Sequence, residues 1–200
     1  MPPDPARLES IAAAGEYLDG ADIDGYAFYG AWRTFADAAE IAQAEELTAE
    51  YVRLFASGVS GALCPPTESY YRGGADGGKI ATLMTQVEQI YGDLGLSSVG
   101  GSEAPDHAAT ELEAMSVLCS REAAARESGS TEGAADALLA EARFLGRHLR
   151  VWFPEFRDRV ANAPGVGRFY GTLIEAVYAF IVHDVDLVAL LRRRIEGATV

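Results

Sequence analysis

Two short stretches hold most of the side chains whose types and spacing could do chemistry. In EAPDHAATELEAMSVL, Glu103 to Leu118, a proline precedes an Asp-His pair, and Glu111 and Leu112 follow it. Pro105 disfavours helix in the residue before it and suits a first turn, while Asp106 can accept hydrogen bonds from backbone N–H groups just downstream. A helix should therefore begin near Asp106. Leu112, Met115 and Cys119, with Leu118 beside them, recur at helical spacing, which buries one side and leaves His107 at the exposed end. The pair then sits on a rim. Its plainest roles there are a helix cap and a surface histidine, and its chemical role would be contact with a partner.

The second stretch runs from Cys64 through Pro65, Pro66, Thr67, Glu68, Ser69, Tyr70 and Tyr71 to Arg72. Two prolines hold a backbone extended, and loops that keep amphipathic rings near the surface often touch a ligand. The alternative is that Tyr70 and Tyr71 plug the ends of neighbouring helices. The segment after it, Gly73 to Ile80, nearly spells a phosphate-binding loop, with Gly73, Gly78 and Lys79 correctly spaced. Ile80 stands where Ser or Thr should hold magnesium, and no strand pattern precedes it, so a flexible linker is the better reading.

Other catalytic arrangements lack their parts. His107, His148 and His183 have no companion nucleophile motif, zinc would need clustered Cys and His, and di-iron bundles need paired Glu-x-x-His motifs. His148 and His183 lie in apolar helical patterns and read as satisfied core-edge residues. No catalytic residue and no metal ligand is assigned, and the chain reads as a non-enzyme.

Composition narrows the partner class. There are 30 acidic against 16 basic residues in 200, a formal net charge of -14, with Lys79 the only lysine. Such a chain repels nucleic acid and anionic membranes and attracts basic segments, although a salt-loving, high-GC source would produce the same balance. Cys64 and Cys119 are too few for a disulfide framework, which suits a reducing compartment. The opening MPPDPARLES lacks the basic start and apolar run of a secretory signal, and no stretch has membrane-span length, so a cytoplasmic, soluble protein is expected.

The elements that must position these residues are all helical. Residues 1–20 read as a loose arm or a short helix with Leu8, Ile11 and Tyr17 on one side, and residues 21–200 as one domain. Asp22 to Asp24 can cap a helix that buries Tyr26, Tyr29, Trp32, Phe35 and Ala36. AEELTAEYVRLFASG follows, with Leu47, Tyr51, Leu54 and Phe55 as its stripe and Gly58 as its stop. From Ile80, the residues Leu83, Met84, Val87, Ile90, Tyr91 and Leu94 share a face that ends at Gly95. The Asp106 helix runs to about Glu127. Thr131 can cap the next, which carries Leu138, Ala142, Leu145, Leu149 and Trp152 and ends at Pro154, with Phe156 and Val160 in a short helix beyond. A long apolar helix spans Phe169 to Ile181, and a final one starts at Asp184 or Asp186, with Arg192, Arg193 and Arg194 at its end. The whole predicts an all-α bundle of about eight to ten helices.

In order, EYVRLF, PPTESYY, PDHAATELEAM, FLGRHLRVWFPEF and FYGTLIEAVYAF form a series that resembles the TorD/DmsD/NarJ-like chaperones of molybdenum oxidoreductases. The resemblance spans roughly Tyr26 to Phe180. It implies a TorD-like all-α cytoplasmic chaperone that binds the twin-arginine leader of a molybdenum oxidoreductase catalytic subunit, holds the apoprotein during cofactor insertion and delays export. The family's Asp-His hot spot maps onto Asp106 and His107 with Pro105 before them, and its loop tyrosine onto Tyr70 or Tyr71 with Glu68 and Ser69 alongside. A leader with two arginines and an apolar run calls for carboxylates beside a greasy groove. Asp106, Glu111 and Glu68 could supply the first, and Tyr70, Tyr71 and Leu112 the second, Asp106 serving as cap before contact. The resemblance implies no permanent cofactor, at most transient contact with molybdopterin guanine dinucleotide, and either a monomer or a domain-swapped dimer. Rival classes are a nucleotide-dependent switch at Gly73 to Lys79 and a small-molecule-binding regulatory domain. The glycine-rich segment and the acidity depart from the better-known members.

Overall fold

Asp4 and Pro5 open the first helix. Pro5 fills its first position, where no N–H is needed, and the Asp4 carboxylate accepts from Arg7 N at 2.9 Å. The computed structural model describes residues 2–20, 27–56, 61–74, 76–95 and 104–198, with side chains for all of these except 15–20, 27, 196 and 198. The cap expected at Asp22 to Asp24, the Tyr26 and Tyr17 side chains and the stop at Gly58 lie outside what is described. Among the described residues there are nine helices and no strand, in agreement with the all-α expectation: α1 Pro5–Gly20, α2 Ala27–Glu40, α3 Ala44–Phe55, α4 Glu68–Arg72, α5 Gly77–Asp93, α6 Ala108–Glu127, α7 Thr131–Arg147, α8 Leu149–Ala161 and α9 Arg168–Ala198. None of the described helices is long and apolar enough to cross a membrane.

Two compact units divide the chain: Met1–Pro65 with Pro154–His183, and Pro66–Phe153 with Asp184–Val200. In the first, α1 packs on α2 and buries Leu8, so the opening residues are a docked helix rather than a loose arm. Phe35 of α2 meets Phe169 of α9 at 5.2 Å between ring centroids, and Phe55 of α3 meets Tyr170 edge-on at 5.3 Å. These contacts are the core expected from the aromatic stripes. The Tyr170 hydroxyl donates to Leu47 O at 3.1 Å, and Arg53 donates to the Pro164 and Gly165 carbonyls at 2.5 and 2.7 Å.

In the second unit, Leu83, Val87, Tyr91 and Leu94 of α5 are buried as the spacing predicts, and Gly95 closes that helix at φ 64°, the left-handed region that favours glycine. Helices α6 and α7 pack as a hairpin across Gly129. The cap of α7 is Ser130, whose Oγ accepts from Gly133 N at 3.1 Å, one residue before the expected Thr131. Helix α7 stops at Arg147, because His148 adopts φ -120° and ψ -97°. Pro154 therefore lies inside α8 and ends nothing, and Leu149 and Trp152 belong to α8. Helix α9 continues through Asp184, which is buried in mid-helix rather than capping a new one. The expected Gly73 to Gly78 linker is also partly helix, since α5 already begins at Gly77.

Glu141 of α7 is buried, and burial first, then the charges of Glu122 and Asp184, push its carboxyl up to about 7. A raised acid stabilises the fold fully below its ordinary pKa, and that contribution is lost as pH rises from there through about 7. Glu141→Gln should therefore raise the melting temperature by several degrees at pH 8 and change it little at pH 5, measured by thermal denaturation. A second substitution tests the start of α5. The Asp76 carboxylate accepts from Gly78 N and Lys79 N at 3.0 and 3.3 Å, so Asp76→Ala should cost about 1 kcal/mol in denaturant unfolding.

Candidate functional site

The two chemistry-bearing stretches meet backbone to backbone. Thr67 is extended, at φ -129° and ψ 133°, and bridges His107 in antiparallel fashion. Glu68 N donates to Asp106 O and Ala108 N to Pro66 O, both at 2.9 Å. Beyond this bridge the five residues Glu68–Arg72 turn into α4, whose Thr67 cap position makes no side-chain cap bond. Asp106 fills that role from the other segment, because its Oδ2 accepts from Ser69 N at 2.8 Å. The capping expectation is thus corrected: Asp106 caps α4. His107 caps α6, which starts at Ala108, with Nδ1 accepting from Ala109 N at 3.1 Å. The Tyr91 hydroxyl of α5 donates to Pro105 O at 2.7 Å and fixes the corner from a third side.

The three carboxylates expected to face a cationic partner turn inward. Glu68, Asp106 and Glu111 are each 0% exposed. Glu68 is ion-paired through Oε1 to Arg72, four residues on, and hydrogen-bonded through Oε2 to His148 Nδ1 at 2.8 Å. Arg72 also donates to Arg147 O at 2.7 Å, which ties α4 to the end of α7. Burial alone would raise Glu68, but the hydrogen bonds and charges of His148 and Arg72 outweigh it and hold the carboxyl below its ordinary value. Glu111 Oε2 accepts from Trp152 Nε1 at 2.9 Å. Burial, and next the charge of Glu68, push the Glu111 carboxyl well above the carboxylate range. Tyr91 is raised for related reasons, burial first and then Glu111 and Asp106.

What remains at the surface is largely aromatic and apolar. Tyr70 is 45% exposed and meets Tyr71 edge-on at 5.0 Å, while half-buried Tyr71 stacks on Trp152 at 5.6 Å. Ser69, Pro105, His107 and Leu112 are half-buried, which places His107 less openly than a helix rim suggests. Glu68, Ser69, Pro105, Asp106, His107 and Glu111 therefore meet at one corner of this unit, with the carboxylates and the Tyr71 hydroxyl inside and Tyr70 as the exposed ring. Sequence reasoning left His148, Arg72 and Trp152 out of the site. Arg72 had a readable signal in its four-residue spacing from Glu68. The roles of His148 and Trp152 depend on chain segments far apart in sequence.

Glu68, Glu111 and His148 also bring one ligand-type atom each within 4.8 Å of one another, a grouping invisible in the linear spacing. Arg72 and His148 already occupy both Glu68 oxygens and Trp152 occupies one of Glu111, which favours proton sharing over a cation. At the start of α5 the Gly78 and Lys79 amides donate to Asp76, so the donors a phosphate would need are already engaged.

The cap separates two substitutions at one position. Asp106→Ala strands the part-buried Ser69 N–H and should cost about 1–2 kcal/mol in urea unfolding, whereas Asp106→Asn keeps an acceptor and should retain most of that stability.

Comparison with known proteins agrees with this architecture. The nitrate reductase delta subunit family matches residues 25–158. The selenate reductase assembly chaperone protein of Thauera selenatis is 35% identical over 179 residues, covering 82% of this chain and 87% of the relative. The chlorate reductase assembly chaperone protein of Ideonella dechloratans is 34% identical over 177 residues, covering 83% and 86%. A crystal structure assigned as a redox enzyme maturation protein from Archaeoglobus fulgidus matches with a TM-score of 0.56 at 25% identity, over 90% of this chain and 86% of the other. Both named relatives are assembly chaperones rather than catalysts, in keeping with the non-enzymatic reading. A helical body whose proline-Asp-His corner is clasped to a tyrosine-bearing turn, matched along most of its length by such relatives, belongs to the nitrate reductase delta subunit family.

Proposed function

We propose that this protein is an assembly chaperone for a molybdenum-containing oxyanion reductase, and that it binds the basic, apolar leader of that enzyme's catalytic subunit at the Tyr70–His107 corner. The observation that carries the reading is the backbone clasp between Pro66–Ser69 and Asp106–Ala108, which holds His107 beside the short helix that carries the exposed Tyr70. Tyr70 supplies an exposed ring for an apolar run, and the net charge of -14 attracts the arginine pair at long range. Glu68, Asp106 and Glu111 hold the shape of the surface from behind. In this reading the chaperone works in the cytoplasm and keeps the apoprotein from export until cofactor insertion is finished. Molybdopterin guanine dinucleotide is cargo of the client, touched only in passing.

Isothermal titration with a synthetic peptide carrying an Arg-Arg pair and an apolar run tests this. Micromolar binding is expected, weakened about tenfold by Tyr70→Ala, a loss of roughly 1.4 kcal/mol, with unfolding midpoints unchanged. Replacing the Arg-Arg pair by Gln-Gln should weaken it further and remove its salt dependence. Affinity indifferent to Tyr70→Ala places the site elsewhere, and absence of binding in the wild type removes the leader from the reading.

A further inference from the structure

Three carboxylates of the second unit converge beneath α4, and a single guanidinium accompanies them. Glu68 comes from α4, Asp106 from the corner before α6 and Glu111 from the first turn of α6, and all three are 0% exposed. Facing Glu111 are Glu68 on α4, Asp106 at the corner, Tyr91 on α5, His148 at the end of α7 and Trp152 on α8, with Arg72 of α4 behind Glu68. Arg72 and His148 are both engaged with Glu68. That leaves Glu111 Oε1 and Asp106 Oδ1 buried without a hydrogen-bond partner among the described residues. For Glu111, which burial and the neighbouring Glu68 already push up, that state is costly unless it carries a proton.

We propose that one proton held at Glu111 gates the client site: Glu111 is a positioning residue that lets α4 stay seated against the Asp106 corner at the start of α6, and loss of its proton loosens α4 together with Tyr70 and Tyr71. The coupling is short. Glu111 and Glu68 each place an oxygen within 4.8 Å of the other and of His148, so a second full charge at Glu111 repels the side chain that anchors α4. Glu68 N and Ser69 N are the amides clasped by Asp106, so the same displacement strains the helix cap. The sign follows from linkage. A proton bound more tightly with α4 seated favours the seated form fully below the ordinary carboxylate range, and this preference falls tenfold per pH unit above that range until the raised pKa is passed. Glu68, held low, weakens the clasp only when pH falls below the ordinary range. The gate rests on the proposed client site, yet the seating of α4 is measurable without any client.

Hydrogen exchange of the amides of residues 67–72 in the full chain, corrected for intrinsic base catalysis, tests it. Protection in the wild type should fall by up to tenfold per pH unit from about pH 5 upward. Glu111→Gln, neutral at every pH and of the same shape, should remain folded with flat protection, and infrared spectra should show a protonated-carboxyl stretch at neutral pH that this variant lacks. Binding of the Arg-Arg peptide should decline over the same window in the wild type and stay constant in Glu111→Gln. Flat wild-type protection overturns the gate, as does an unchanged pH slope or unfolding in Glu111→Gln. Zinc ions that raise the wild-type melting temperature but not that of Glu111→Gln would also overturn it, by making the cluster a cation site. Peptide that never binds, with the exchange slope intact, sinks the client reading and leaves the gate standing.

Discussion

The clasp between Pro66–Ser69 and Asp106–Ala108 is the constraint on which the second unit's chemistry depends. A five-residue helix cannot hold itself together in water, since nucleating one turn costs more than so few hydrogen bonds return. Helix α4 exists because its first N–H groups are satisfied by another part of the chain, one by the Asp106 carbonyl and one by the Asp106 carboxylate. Its other end is held by Arg72, which bonds Glu68 within the helix and the Arg147 carbonyl outside it. With both ends tied, the outward-facing Tyr70 is presented by a backbone that has little freedom left to lose on binding.

The interior of this corner answers a problem that the clasp creates. Bringing Glu68, Asp106 and Glu111 under one short helix puts three carboxylates out of reach of water. Two are matched by specific donors: Arg72 and His148 for Glu68, and the Ser69 N–H for Asp106. Glu111 has only the Trp152 N–H, a single neutral donor, beside the charge of Glu68, and a proton is the remaining way to satisfy it. The same indole also stacks on Tyr71, so Trp152 joins the buried acid to the aromatic surface.

Most helices could be read from the chain alone because their signals are local. The stripe of Leu83, Val87, Tyr91 and Leu94 with Gly95 behind it needs no tertiary information, and neither does the turn at Gly129. The meeting of the proline-rich loop with the Asp-His corner could be anticipated from the resemblance, whereas which helix Asp106 caps could not. An aspartate before an apolar run looks like the cap of that run; here the residue after it, His107, takes that position and frees Asp106 to reach across. Pro154 misled for a similar reason. The break falls six residues earlier at His148, whose side chain is drawn to Glu68, 80 positions away, and no local pattern reports such a pull. Asp184 looked like a helix start because acidic residues in an apolar run usually are; it is instead a buried mid-helix group near Glu141 and Cys119.

That division of labour bears on how the proposed site would take a basic leader without collapsing. Carboxylates left on the surface beside Tyr70 would bind two arginines directly, but each would be screened by salt and would attract many basic peptides alike. Buried acids avoid that competition. Glu68 is held by Arg72 and His148, Asp106 by the Ser69 N–H and Glu111 by the Trp152 N–H, so they fix the backbone beneath Tyr70 and Tyr71, while the net charge of -14 supplies undirected attraction. Under this arrangement attraction is general and fit is local. In the proposed reading, discrimination between clients resides in how an apolar run meets Tyr70 and its neighbour Tyr71, because Glu68 beneath them is already engaged with Arg72 and His148.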